Sequence, residues 1–184
     1  MPIAPRRRRL PLPPPEVPNQ RSIELLAPAM RRTVTELLAL RTARFSDGRA
    51  ANDEDSLSLL FETLRTNARQ QFLYGFGRDY DDVRGIVTGA YDASWSMHGY
   101  GLAIDIIHPK LLYKAPDSWW KQLADDYEAV GLRPGRSFKR VDSPHAQWLG
   151  IGATRCPATP TAQDRVDFRA NRISLVWKRY GADK

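Results

Sequence analysis

The chain of 184 residues contains a single cysteine, Cys156, and no long hydrophobic run. One cysteine excludes an intramolecular disulfide and a structural zinc site built from several thiolates. Cys156 lies in a stretch rich in proline and threonine without a neighbouring histidine, so we interpret it as a semi-buried or loop cysteine rather than a nucleophile. No segment approaches the roughly 18 to 20 consecutive apolar residues of a membrane span, and we expect no stable membrane insertion.

The N-terminus also lacks the apolar core of a secretory signal peptide. Arginines 6–9 are followed by a proline-rich stretch instead of an apolar run. We therefore expect synthesis in the cytoplasm without a signal peptide. Residues 1–20 show no hydrophobic periodicity, and their prolines predict a disordered tail with polyproline character. Residues 21–184 are then expected to form one domain, because their number suits a single core. We expect a monomer, although the sequence itself does not determine the oligomeric state.

The chain carries a net charge of +7, which favours contact with polyanions such as nucleic acid, anionic lipid or acidic envelope polymers. It has no zinc-finger spacing, no aromatic pattern of an RNA-binding sheet and no basic region leading into heptads. We therefore expect no nucleic-acid partner.

The hydrophobic pattern predicts a mixture of helices and short strands. Helices are predicted over about 28–41, 66–75, 118–131 and 164–180, and strands over about 57–64, 102–107 and 145–151. Thr66 or Asn67 and Ser118 are the predicted N-caps of the second and third helices. Because strands and helices do not alternate strictly, the fold class is predicted to be α+β, with a small, mainly antiparallel sheet flanked by helices. The last helix is basic and amphipathic, and we expect its apolar side to dock on its own domain.

The first candidate motif is the segment Ser-Met-His-Gly-Tyr-Gly-Leu-Ala-Ile-Asp at residues 96–105. His98 lies at a glycine-rich turn, and Asp105 lies inside an apolar run. A carboxylate is costly to bury without a partner, which a metal ion would supply. A half-exposed strand with Asp105 on its solvent side fits the same spacing, so the residues alone leave both interpretations open.

The second candidate motif is the segment Val-Asp-Ser-Pro-His-Ala-Gln-Trp at residues 141–148. Pro144 favours an extended approach to His145, and Asp142, three residues earlier, can lie beside a metal without binding it. An ordinary turn that enters a strand fits these residues as well. Zinc peptidases need three protein ligands, an open position for water and a carboxylate that is not a ligand.

Together the two segments match the pattern Ser-x-His-x-x-Gly-x-Ala-x-Asp followed by Asp-x-Pro-His. This pattern resembles that of the zinc peptidases that include D-alanyl-D-alanine carboxypeptidases and the L-alanyl-D-glutamate endopeptidases of phage lysis. The resemblance implies a hedgehog/DD-peptidase fold. It also implies that His98, Asp105 and His145 bind Zn²⁺ and that Asp142 is the general base.

The resemblance extends over about residues 20–150 and includes the segment ahead of the first motif. It implies that Arg65 faces the substrate, where it would hold a carboxylate or polarise the scissile carbonyl. A surface arginine at a strand end is the alternative. Ser96 is a candidate hydrogen-bond donor to the substrate, or else it only shapes the turn before the first histidine. The chain departs from the family at residues 131–138 and 63–64, which leaves the shape of the substrate groove open.

The Asp-Ser-Pro-His form resembles the endopeptidase branch of the family. It implies a peptidoglycan hydrolase, a phage endolysin that cleaves the L-alanyl-D-glutamate bond of wall stem peptides after release from the cytoplasm. The alternatives are a D-alanyl-D-alanine carboxypeptidase or dipeptidase with the same metal chemistry, and a non-catalytic zinc-binding recognition module. The third histidine, His108, is predicted to be a surface residue at a strand end, with a supporting contact to the metal ligands as the alternative.

Overall fold

The structure is a computed structural model that describes residues 10–46, 58–80, 83–151 and 154–184. Its helices are α1 Pro28–Ser46, α2 Asn67–Gly75, α3 Asp117–Ala129, α4 Ala162–Arg169 and α5 Ile173–Arg179. Its strands are β1 Leu59–Glu62, β2 Ala103–Ile107, β3 Leu132–Pro134, β4 His145–Trp148, β5 Gly150–Ile151 and β6 Thr154–Arg155. Short 3₁₀ turns lie at Ile23–Leu25, Ala93–Trp95, Met97–Tyr100 and Gly135–Ser137. The predicted α+β class is confirmed, and no helix among the described residues is long and apolar enough to cross a membrane.

Four of the strands form an antiparallel sheet in the order β1-β2-β4-β3. On the central strand, Asp105 pairs with His145 of β4 on one side and with Glu62 of β1 on the other. The pairing with Glu62 depends on a bulge, because Leu60 pairs with Ile106 and Phe61 is the extra residue. Directly opposed residues project from the same face of a sheet, so these three polar side chains form one row across three strands.

The hydrophobic core lies between this sheet and the helices α1 and α3. Helix α1 contributes Met30, Val34 and Leu37, whose spacing places them on one helical face, and all three are fully buried. Burying each such side chain stabilises the fold by roughly 1.5–3 kcal/mol. The buried ion pair between Arg41 and Asp126, at 2.6 Å, links α1 to α3 and satisfies the charge of both side chains.

Several predicted boundaries hold, and others are wrong. Thr66 caps α2 by accepting the backbone N–H of Arg69 at 3.2 Å, as predicted. Helix α3 begins at Asp117 after Pro116, so the predicted cap at Ser118 is wrong. Strand β3 was not predicted from the sequence. The strand predicted over 145–151 is interrupted at Leu149, and the next strand begins at Gly150, whose φ is +92°.

The predicted C-terminal helix consists of two helices, α4 and α5. Asn171 adopts a left-handed conformation with φ +56° and ends the first of them. Val176 of α5 and Tyr180, which follows the helix, are buried in the core, and the Trp177 indole donates to the carbonyl of Tyr100 at 2.7 Å. The prediction that this segment docks on its own domain is confirmed, but the prediction of one continuous helix is wrong.

The segment before residue 21 packs against the domain. Arg69 donates to the carbonyl of Val17 at 2.8 Å, and the backbone N–H of Thr63 donates to the carbonyl of Gln20 at 2.8 Å. The side chain of Asn19 donates to the carbonyl of Phe61. Residues 16–20, which were predicted to belong to the disordered tail, therefore contact β1 and α2, while residues 1–9 lie outside the described part of the chain.

Candidate metal centre

His98, Asp105 and His145 bring three ligand atoms together in a nearly equilateral triangle. The atoms are Nε2 of His98, Oδ1 of Asp105 and Nδ1 of His145, and each pair is 3.2 Å apart. Three atoms bound tetrahedrally to one zinc ion at about 2.0–2.1 Å would be separated by about 3.3–3.4 Å. The triangle therefore has the dimensions of a tetrahedral site, and the group can hold a metal ion.

The local fold explains why these residues meet. Asp105 and His145 are opposed across β2 and β4, whereas His98 lies on the 3₁₀ turn that precedes β2. Gly101 ends that turn with φ +64° and donates its N–H to the carbonyl of His98. A Cβ at this position would lie 2.7 Å from the carbonyl oxygen of Leu25, so the motif glycine is required by both its conformation and the close packing.

Hydrogen bonds on the far side of each imidazole fix the tautomers. Nδ1 of His98 lies 2.9 Å from the carbonyl oxygen of Thr63, which can only accept, so Nδ1 carries the proton. Nε2 of His145 lies 3.4 Å from Oε1 of Gln147, whose amide is oriented by its donation to the carbonyl of Pro157 at 2.9 Å. Each ring therefore directs its unprotonated nitrogen toward the triangle, as metal-binding histidines do.

The triangle consists of three acceptor atoms that face one another, so a positive charge must lie among them. Burial would raise the pKa of Asp105, but the charge of His98 and hydrogen bonds from both imidazoles, when these rings are protonated, hold it well below its usual range. Burial acts to lower the pKa of His145, whereas Asp105 raises it and prevails. Protonation of an imidazole would supply this charge in the metal-free protein, and a divalent cation can take the place of that proton.

A network of buried charges holds the other side of Asp105. Arg65 donates from Nη2 to Oδ2 of Asp105 at 3.3 Å, and from Nε to Glu62 at 2.8 Å. Glu62 is 1% exposed and also accepts from Nε of Arg69 at 3.1 Å. Gln70 accepts from Nη1 of Arg65 at 3.3 Å. The network leaves Oδ1 of Asp105 free for the triangle.

Asp142 lies beside the metal centre without belonging to the triangle. Its carbonyl accepts the backbone N–H of His145 at 3.1 Å, in the turn that leads into β4. Although the residue is exposed, desolvation in the cleft and the nearby charge of Asp105 raise the pKa of its carboxyl. Gly135 packs beneath this turn, where a Cβ would overlap the Asp142 carbonyl and lie 2.9 Å from Cβ of His145.

Two open clefts meet at the metal centre, and Arg65, Thr88 and Asp142 line both. The His cleft, of about 510 Å³, is lined by His98 and His145. The Glu62 cleft, of about 470 Å³, is lined by Glu62 and Asp105. Both volumes lie within the range of small-molecule binding sites.

The structure also locates Arg65 and Ser96, the two residues predicted to contact the substrate. Arg65 is only 11% exposed, so the surface-arginine alternative is wrong, and most of its donors are occupied by Glu62, Asp105 and Gln70. Ser96 lines the His cleft, and its hydroxyl makes no hydrogen bond to any residue that the structure describes. The roles of both residues toward a substrate stay predictions.

His108 is not the surface residue that was predicted. It is 1% exposed, and its Nδ1 accepts the backbone N–H groups of Lys110 and Leu111 at 3.1 and 3.0 Å. The histidine therefore closes the turn after β2, away from the triangle. Cys156 is fully buried, and burial raises the pKa of its thiol to about 12, which agrees with an unreactive cysteine.

Sequence reasoning missed the residues that support the ligands. Glu62, Thr63 and Gln147 each contact a ligand or the arginine that holds one. The available signal was an acidic residue at the end of an apolar strand, followed by Arg65 and Arg69 at helical spacing.

Comparison with known proteins gives no family assignment. No protein-family model and no curated protein matches the chain. Its function is therefore inferred from the metal centre, the two clefts and the sequence motifs.

Proposed function

We propose that this protein is a zinc-dependent peptidoglycan endopeptidase with the hedgehog/DD-peptidase fold. The proposed reaction is cleavage of the L-alanyl-D-glutamate bond in stem peptides of the cell wall. The observation that most supports it is the triangle of ligand atoms 3.2 Å apart, next to a carboxylate, Asp142, that is not part of it. We further propose that the protein is a phage endolysin, monomeric, which acts on the wall after release from the cytoplasm.

The donor set supports zinc. Two imidazoles and one carboxylate are a common ligand set of catalytic zinc sites, in which a fourth position stays open. When bound at His98, Asp105 and His145, the ion would lower the pKa of water and polarise the scissile carbonyl. Burial of His98 and His145, at 1% and 9% exposure, keeps competing solvent from the ligands.

Asp142 is the proposed general base. Its carboxyl lines both clefts and therefore borders the space in which a peptide bond would lie. It takes the proton of the attacking water and then delivers that proton to the leaving amine of D-glutamate. A raised pKa suits this double role, because the carboxyl holds the proton more firmly between the two transfers.

Arg65 and Ser96 are the proposed substrate contacts. Arg65 lines both clefts, and its guanidinium donates to Asp105. It orients the substrate through the carbonyl or a carboxylate. The hydroxyl of Ser96, which has no partner among the described residues, donates to the substrate backbone.

The test is mass spectrometry of a disaccharide-tetrapeptide wall fragment after incubation with the zinc-loaded protein. The expected products are a disaccharide ending in L-alanine and a peptide beginning with D-glutamate, and His98→Ala should form neither. Loss of the terminal D-alanine alone would instead assign the protein to the carboxypeptidase branch. Absence of any cleavage, with zinc bound at one equivalent, would favour the non-catalytic recognition module.

A further inference from the structure

The two clefts that meet at Asp142 differ in charge. The Glu62 cleft contains three other carboxylates, those of Glu16, Glu62 and Asp105, among its arginines. Among the residues that the structure describes, Asp142 supplies the only carboxylate of the His cleft, and two further arginines, Arg140 and Arg165, line it. An extended substrate that crosses the metal centre therefore meets a basic wall on one side only.

Arg165 is held in place without being neutralised. Its Cζ lies 3.9 Å from the centroid of the Trp95 ring, and Nη1 donates to the carbonyl of Pro160 at 2.7 Å. Within the described part of the chain it pairs with no carboxylate. Trp95 is 46% exposed and lines the same cleft. A guanidinium stacked on an indole is fixed in orientation and keeps its remaining N–H groups available for a planar anion.

Arg140 occupies the loop that leads to Asp142. It is exposed and donates from Nη2 to the carbonyl of Ile86 at 3.2 Å. It likewise has no carboxylate partner among residues 10–46, 58–80, 83–151 and 154–184. Two guanidinium groups in one cleft, each hydrogen-bonded to a backbone carbonyl and to no carboxylate of the described residues, favour the binding of an anionic ligand.

We infer that Arg140 and Arg165, with Trp95 as the supporting wall, form a carboxylate-binding subsite for the half of the substrate that follows the scissile bond. This inference rests on the proposed function. In a stem peptide cut between L-alanine and D-glutamate, the free carboxylates belong to D-glutamate and the residues after it, whereas the L-alanine side is linked through amides. The basic His cleft thus fixes the direction of the peptide, with L-alanine toward the Glu62 cleft.

The first test compares two substrates of the zinc-loaded protein. One is the disaccharide-tetrapeptide with a free D-glutamate α-carboxylate, and the other carries the amide at that position. We expect the wild type to show a KM about tenfold lower for the carboxylate form. In Arg165→Gln and Arg140→Gln this preference should fall to about twofold or less, with kcat nearly unchanged, and Arg165→Lys should retain part of it.

Two matched control variants test whether the loss of any nearby positive charge would reduce the preference for the carboxylate substrate. Arg169→Gln removes an exposed arginine one turn further along α4, and Lys139→Gln removes a charge next to Arg140, although neither residue lines a cleft. Both controls should keep the tenfold preference. If Arg165→Gln and Arg140→Gln also keep it, the subsite is wrong while the proposed reaction stands.

The second test does not depend on turnover. Calorimetry of the metal-free protein with the dipeptide γ-D-glutamyl-diaminopimelate should show binding that Arg165→Gln weakens about tenfold and Arg169→Gln leaves unchanged. Equal binding by both variants would overturn the subsite. If the wild type cleaves neither wall fragment, the proposed function fails, and this binding experiment alone decides whether the basic wall binds carboxylates.

Discussion

Arg65 donates to Oδ2 of Asp105 at 3.3 Å, while Oδ1 of the same carboxylate faces the two imidazoles of the metal centre. One oxygen is thus fixed by an arginine and the other is reserved for the ion. Because Arg65 is itself held by Glu62, the position of Asp105 depends on a chain of contacts that reaches β1. Such contacts around ligands tune both their orientation and their affinity for metal.

Replacement of Arg65 by alanine should therefore weaken zinc binding as well as turnover. We expect zinc affinity to fall about 10–100-fold, because Asp105 loses the group that orients it. The metal-free protein should also lose about 2–3 kcal/mol of unfolding free energy, because Glu62 is buried and keeps only Arg69 as a partner. Competition with a chromophoric chelator and urea denaturation measure the two effects. Unchanged zinc affinity would limit Arg65 to substrate binding.

Replacement of Asp142 by asparagine should separate catalysis from metal binding. We expect kcat to fall about 10²–10⁴-fold with one zinc retained per chain, because the amide cannot accept the proton. Asp125→Asn is the matched control, since this exposed aspartate only pairs with Lys121 on α3. Loss of zinc from Asp142→Asn would make Asp142 a ligand, and full activity would remove it from the mechanism.

The stabilisation of the folded protein by zinc should require His98 and should not require His108. At a free zinc concentration about 1,000 times the dissociation constant, the gain in unfolding free energy is about 4 kcal/mol. His98→Ala should abolish this gain. His108→Ala should destabilise the metal-free protein by about 1–3 kcal/mol, because two backbone N–H groups lose their acceptor, yet keep the gain with zinc. Denaturation with zinc and with a chelator checks both variants, and an equal gain in His98→Ala would contradict the site.

Cys156 should make the fold less stable in alkaline solution. Its pKa is raised to about 12 by burial, so the folded chain holds the thiol proton where the unfolded chain releases it. Stability from this group is therefore complete below pH 9 and decreases as the pH rises toward 12. Between pH 8 and pH 10 the wild type should lose about 1 kcal/mol more than Cys156→Ala. Urea denaturation of both proteins at the two pH values measures the difference, and equal losses would contradict the assignment.

The candidate metal ligands were predicted from the resemblance of two short segments to the zinc peptidases, since the residues alone left their role open. His98, Gly101 and Asp105 occupy one turn and the strand that follows it, and His145 needs only an antiparallel neighbour. The helix after Thr66 was predictable from the residues themselves, since a side-chain cap acts within one turn. The sequence pattern therefore predicted the triangle of ligands, and the distances between its atoms came from the structure.

The supporting network was not predictable because it depends on pairing between distant segments. Glu62 reaches the row of Asp105 only through the bulge at Phe61, which no residue pattern marks. His108 was assigned to the surface because the pattern does not show that Trp119 packs against its ring, with centroids 5.4 Å apart. The break at Asn171 was missed because apolar residues keep their helical spacing on both sides of it.

Because Glu62, Asp105 and His145 form one row across three strands, metal binding at this row also requires the strands to pair in the correct register. A slip of one residue between β2 and β4 would turn His145 or Asp105 to the opposite face and separate the ligands. An ion that binds only when β2 and β4 are paired in the correct register stabilises that register and no other. Because β4 follows β2 by some forty residues of chain, the site closes only after this long-range pairing has formed. We therefore expect a metal ion that binds this site during folding to raise the yield of correctly registered protein, before any substrate is met.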